Sequence, residues 1–228
     1  MCLGVDNVLS GRFGLVHRAL RISGQPLAVD IATPTEQAVI TGHFGLGAGA
    51  QAAEPRAPLW SLMVATMWLD LIFLPLFLTG VETIDTPPGG GYGSSVIHAD
   101  YTHSLVGALV LSAVLGALAV RLWGRRAGLV LAGVAFSHWV LDLIVHRADL
   151  PILPGNAGNL PLLGFGLWRF PAAAIALEVL LLVGGAYLYW RTARRHTSSV
   201  RGRITPGLVS VVLLASGAVV LLLDAFAG

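Results

Sequence analysis

Five stretches of this chain are apolar for about the length that crosses a lipid bilayer: residues 59–79, 103–123, 127–146, 165–190 and 206–227. A helix rises 1.5 Å per residue, so roughly 20 apolar residues traverse a hydrocarbon layer about 30 Å thick. Lipid offers no water to unpaired backbone groups, which leaves helices or closed barrels as spanning structures. None of the five stretches alternates polar and apolar residues as a barrel strand must. The expected fold is therefore all-α: a polytopic membrane bundle of about five long transmembrane helices. One short, glycine-rich helix in residues 38–53 precedes them. Composition agrees, since 11% of the 228 residues are charged and 55% hydrophobic, against roughly 25% charged in soluble domains. Residues 1–36, of mixed character, read as a poorly ordered N-terminal extension, and residues 37–228 as the transmembrane domain.

Arginine sets the orientation. The chain has no lysine, and its arginines cluster between alternate apolar runs: Arg56, then Arg121, Arg125 and Arg126, then Arg191, Arg194, Arg195, Arg201 and Arg203. The loops between the other runs, residues 80–102 and 147–164, carry one arginine between them. The arginine-bearing side is expected to be cytoplasmic, in a multi-pass protein of the inner cell membrane. If the first short segment crosses, both termini lie outside; if not, the extension is cytoplasmic. Short arginine clusters between apolar runs do not make a nucleic-acid face. The single cysteine, Cys2, excludes an intrachain disulfide and a thiolate metal site, and residues 1–39 lack the continuous apolar core of a signal peptide.

Ionisable residues inside the spans are then the functional signal. In "FSHWVLDLIVHRADLP", His138, Asp142 and His146 recur every four residues and share one helical stripe. Asp70 lies mid-span in "SLMVATMWLDLIFLPLFL", with Pro75 expected to loosen the helix one turn beyond it. His103 opens another span, and His43 sits in "TGHFGLGAG". With the arginine-based orientation, all of these fall in one leaflet. A carboxylate at a helix centre costs about 2.5–3.5 kcal/mol on insertion scales, so Asp70 and Asp142 need a neutralising partner. The spans offer no lysine; Arg121 is at the far end of its span, and Arg169 with Arg147 flanks the outer loop. Histidine and carboxylate without sulfur suit a divalent cation, zinc first, with manganese or iron as alternatives. His138 and Asp142 are about 6 Å apart along the axis and can share an ion, whereas His146 lies about 12 Å from His138. His146 therefore serves a second ion, orients a ligand, or caps the helix end. Non-metal readings stay open for Asp70 (a backbone N–H freed near Pro75) and for His103 (an interfacial helix start). Glu178, in "AAIALEVLLLV", is a ligand, a proton carrier or a hydrogen-bond partner.

These pieces, "GHFGLG", "WLDL", "THSL", "SHWVLDLIVHRADLPILPG" and "GLW", resemble in order a family of bacterial integral-membrane proteins described as predicted metal-dependent hydrolases. The resemblance runs from about residue 41 to the C-terminus. That family is distantly similar to the helical zinc-dependent phospholipase C and single-strand nuclease superfamily, whose metals are held by His and Asp, including an HxxxD helix. The resemblance implies metal ligation by His43, Asp70, His103, His138 and Asp142, with His146 as a further candidate. This chain lacks a second HxxxE pair, so the superfamily's full three-metal set is not implied.

The function expected is hydrolysis of an ester, a phosphoester or lipid head group foremost, at the extracytoplasmic face by one or two divalent ions. Asp70 and Asp142 are the candidate catalytic carboxylates, and Arg147 and Arg169 the candidate phosphate-binding residues. Membrane lipid and a small-molecule or lipid phosphoester are the expected partners, and nucleic acid is not. Two other classes compete: a non-enzymatic ion or proton path through the same residues, and a structural metal site that pins helices together.

Overall fold

The computed structural model describes residues 21–22, 25–26, 40–87, 94–196 and 206–227. The chain divides into two units, Met1–Ala32 and Thr33–Gly228. In the first, the described residues form β1 (Arg21–Ile22) and β2 (Gln25–Pro26), paired antiparallel. The rest of the expected extension lies outside the described residues. The second unit is helical: α1 (Ile40–Ala50), α2 (Leu59–Thr66), α3 (Trp68–Leu78), α4 (Leu105–Trp123), α5 (Arg125–Val145), α6 (Pro171–His196) and α7 (Pro206–Ala227). A short antiparallel hairpin that the apolar pattern does not announce, β3 (Thr83–Asp85) with β4 (Val96–His98), interrupts them.

Three helices, α4, α5 and α6, are long and apolar enough to cross a membrane. Helices α2 and α3 pass the same test as a pair bent by 49°, which raises the number to as many as four. Helix α7 is also apolar over Pro206–Leu221, the part of it whose side chains are described. The described residues thus carry three candidate membrane-spanning helices, or four counting the bent pair, as a helical membrane protein does. The bend falls at Met67, not at Pro75. Met67 has φ −101° and ψ 11°, and its N–H closes a tightened last turn of α2 on the Val64 carbonyl at 3.2 Å. Pro75 sits inside α3 without ending it. Helix α1 spans 11 residues, about 16 Å and half the hydrocarbon thickness.

Small residues let these helices approach closely. Gly42 of α1 faces Leu181 and Glu178 of α6, Gly45 faces Leu181 and Leu182, and Gly49 faces Gly185 and Leu188, so the two helices run in the same direction. A Cβ on Gly45 would meet the Leu181 carbonyl, and one on Gly185 the Gly45 carbonyl. Helices α4 and α5 are joined by Gly124 alone, at φ 86°, and cross where Gly116 meets Gly128 and Ala132.

At the turn between α4 and α5, Arg126 Nη2 donates to the Ala53 carbonyl at 2.7 Å, and its Nε lies 3.4 Å from Glu54. Trp60 and Trp123 pack edge to face at the same level. At the opposite end the segment between α5 and α6 is knitted to the bundle. The first two N–H groups of α4, on Leu105 and Val106, donate to Pro151 and Ile152 carbonyls. Phe165 and Gly166 donate back to Leu143 and His146 of α5 and its cap. The orphan backbone groups of two helix ends are thereby satisfied by one segment. Between the two ends Leu69, Ala108 and Trp139 pack together and form the floor on which the polar residues sit.

Candidate metal centre

His138 and Asp142 are successive members of the α5 stripe, both buried, with Nε2 and Oδ2 3.2 Å apart. The break at Met67 brings the third element in. It makes Asp70 a first-turn residue of α3, where the helix dipole favours a carboxylate. It also exposes the Thr66 carbonyl to a side chain, and His138 Nδ1 lies 2.6 Å from it. A carbonyl can only accept, so Nδ1 carries a proton there, and Nε2 is the ring nitrogen turned to the carboxylates. His103 precedes Ser104, the N-cap of α4, whose Oγ accepts from the Gly107 N–H. Trp139 Nε1 donates to the His103 carbonyl at 2.8 Å and holds that backbone against α5.

Four donor atoms converge. His103 Nε2 lies 3.4 Å from His138 Nε2, 3.4 Å from Asp70 Oδ1 and 3.6 Å from Asp142 Oδ2. His138 Nε2 lies 3.5 Å from Asp70 Oδ1 and 3.2 Å from Asp142 Oδ2. For metal bonds of about 2.0–2.2 Å, neighbouring ligands of a tetrahedral ion stand about 3.3–3.6 Å apart. The separations from His103 and His138 lie near that spacing, and Asp70, His103 and His138 gather as one group of ligand atoms, so these residues suit a small divalent cation. Every ion pair recorded for Asp70 and Asp142 is to histidine. His138 Nε2 thus faces carboxylate oxygens, across which a proton on that nitrogen or a shared cation would be stabilising.

His43, near the start of α1, completes a second, overlapping group. Its ring lies 4.1 Å from that of His138, and its Nε2 is 3.3 Å from the His138 carbonyl and 3.6 Å from Asp142 Oδ1. The sets His43–His138–Asp142 and Asp70–His103–His138 each gather one ligand atom per residue within metal-binding range. Asp142 thus turns one oxygen to each set. Three of the cluster's side chains are nearly closed to solvent, whereas the Asp70 side chain is 36% exposed.

The other sequence candidates are placed elsewhere. His146 ends α5 in an extended conformation, its Nδ1 3.0 Å from Asp149 and its ring 4.2 Å from that of Trp168. It belongs to neither donor set among the described residues, and its axial separation from His138 accounts for that. Arg147 follows it in the chain, past the end of α5. Arg169 is exposed, and its Nε donates to the Gly166 carbonyl at 3.3 Å. Glu178 is buried on α6 against Gly42, the neighbour of His43.

Two residues that the sequence pattern does not single out stand behind His103. His103 Nδ1 is 2.9 Å from Thr102 Oγ1, which lies 3.0 and 2.9 Å from the two carboxylate oxygens of Glu82. Glu82 Oε1 also accepts from the N–H groups of Tyr101 and Thr102. Its position is set by the end of α3. Gly80 is left-handed at φ 74°, its N–H bonds the Phe77 carbonyl, and the Val81 N–H bonds the Leu76 carbonyl. This paired closure puts Glu82 just past the helix end. A glycine closing an apolar run was the available sign.

No family model matches the chain, and no curated protein or solved structure matches it either.

Proposed function

We propose that this protein is a membrane-embedded, zinc-dependent hydrolase that cleaves an ester of an amphipathic substrate, a lipid phosphoester foremost, at the extracytoplasmic face. The observation that carries this reading is the combination of a metal-sized donor cluster with one partly exposed carboxylate, Asp70. A cluster that only pinned helices together would have no need of an open edge. Imidazole nitrogen with carboxylate oxygen, without sulfur, makes zinc the first choice among the common divalent ions. Bound there, such an ion supplies Lewis acidity and a source of hydroxide near neutral pH.

The chain's own residues divide the work. His103 and His138 hold the ion and stay in place, being buried and fixed through their Nδ1 atoms. Asp142 offers Oδ2 to that set and Oδ1 towards His43, so a second ion would share it. Asp70 accepts a proton at the open edge. Its neighbours Leu71 and Leu74 are exposed and apolar, so the approach to Asp70 crosses a surface suited to lipid rather than to water. A substrate with acyl chains and an ester at head-group depth fits that approach.

One observation favours a second reading. Two carboxylates and two imidazoles gather there, enough protein donors to close a site as in structural zinc sites, whereas catalytic sites keep a position open. Hydrolysis would therefore require Asp70 to leave a position open to water. The test is turnover of phosphoester and carboxylester lipids in mixed micelles by zinc-loaded, metal-stripped and Asp70→Ala protein. The hydrolase reading expects product from the loaded protein and loss in the other two. A loaded protein inert across both ester classes would leave the structural reading.

A further inference from the structure

Behind His103 lies a chain of three groups that ends on a carboxylate with no contact to the donor cluster. Thr102 Oγ1 carries a single proton, and it stands 2.9–3.0 Å from both oxygens of Glu82, which offer lone pairs only. That proton therefore points at Glu82. The same hydroxyl is 2.9 Å from His103 Nδ1, and with its proton committed it can only accept there. So Nδ1 carries a proton, and in the neutral ring Nε2, the atom 3.4–3.6 Å from His138, Asp70 and Asp142, is left as the ligand atom. Glu82 and Thr102 are fully buried, and no bulk water competes for these bonds.

We propose that Glu82 and Thr102 are positioning residues that fix the tautomer and ring orientation of His103, so that its Nε2 is a preformed ligand. The inference rests on the metal reading above and names residues that act on the ion only through His103. His138 is held in the equivalent state by a different device, the Thr66 carbonyl released at the Met67 break. The two imidazoles are thereby locked from opposite sides, one by the end of α2 and one by the loop after α3. Hydrogen-bonded partners of this kind orient metal-binding histidines, and their loss lowers metal affinity by about 10–100-fold.

Thr102→Val separates this role from a structural one, because the valine keeps the shape and both backbone N–H bonds to Glu82. Only the hydroxyl between Glu82 and His103 is removed. Thr102→Ser restores the hydroxyl. Zinc affinity is read by competition with a chelator of known strength, and the His103 tautomer by nitrogen NMR of histidine-labelled, metal-free protein. Expected are a proton on Nδ1 in the wild type, its loss as the dominant form in Thr102→Val, and zinc bound about 10–100-fold more weakly by that variant. Thr102→Ser returns both readouts to wild-type values. Unchanged tautomer and affinity in Thr102→Val overturn the proposal while leaving the metal site intact. A wild type that binds no zinc sinks the metal reading instead, and the tautomer measurement alone then decides the relay. If Thr102→Val does not fold, Glu82→Gln is read the same way: it must weaken zinc binding and shift the tautomer, and failure to do either overturns the proposal.

Discussion

His138 is the residue on which the cluster turns, because it belongs to both donor sets and fills both ring nitrogens. Replacing it with alanine removes a donor from each set and strands the Thr66 carbonyl in a buried site, which costs about 1–3 kcal/mol by itself. His138→Ala is expected to lose bound metal and to unfold at lower temperature, measured by elemental analysis and thermal unfolding in detergent. Asp142→Asn keeps the volume but removes the charge that serves both sets, and it should lose metal with a smaller loss of stability. The i, i+4 pair of His138 and Asp142 is legible in sequence because a helix has fixed periodicity. The residues that orient the rings are not, since a backbone carbonyl at a helix break and a threonine beside a histidine leave no periodic mark. His146 obeys the same four-residue step, yet periodicity alone cannot say that the helix ends at Val145 and turns its ring to Asp149 and Trp168.

Among the elements, the apolar runs locate α4, α5 and α6 closely, because lipid tolerates little else over that length. The run at residues 59–79 conceals a break. Apolar content says nothing about where a helix bends, and the proline that invites a kink is accommodated while Met67 is not. That break gives Asp70 its place at a helix start and His138 its carbonyl. Helix α1 reaches the cluster only because glycines let it lie against α6. Gly185→Ala should therefore force the two backbones apart, at a cost of about 1–3 kcal/mol or more, and displace His43. Gly184→Ala, next to it but with nothing within 4 Å, should be neutral or stabilising by up to about 1 kcal/mol. Paired melting curves check this; equal effects of the two substitutions would mean that α1 does not dock as described.

The helical unit is a bundle with two unlike ends. One carries Arg126 bonded to Ala53 and Glu54 at the turn between α4 and α5. The other is closed by the segment after α5 and holds the donor cluster nearer to it. If the arginine end faces the cytoplasm, a membrane-impermeant thiol reagent added outside intact cells should label Asn159→Cys and not Arg125→Cys, both in a Cys2→Ser background. The reverse pattern would move the proposed chemistry to the cytoplasmic face. Because donors from α1, α3, α5 and the residue before the cap of α4 gather in two overlapping groups, a bound ion should tie the bundle together. Zinc at about 100 times its Kd adds about 2.7 kcal/mol to stability, so stripping it should lower Tm and restoring it should recover the loss. The most direct test of the account is the zinc content of detergent-purified protein, compared between the wild type and His138→Ala after equal loading and desalting. Retained zinc in the wild type and its near absence in His138→Ala is the result expected. No retained zinc in the wild type, or equal zinc in both, would contradict it.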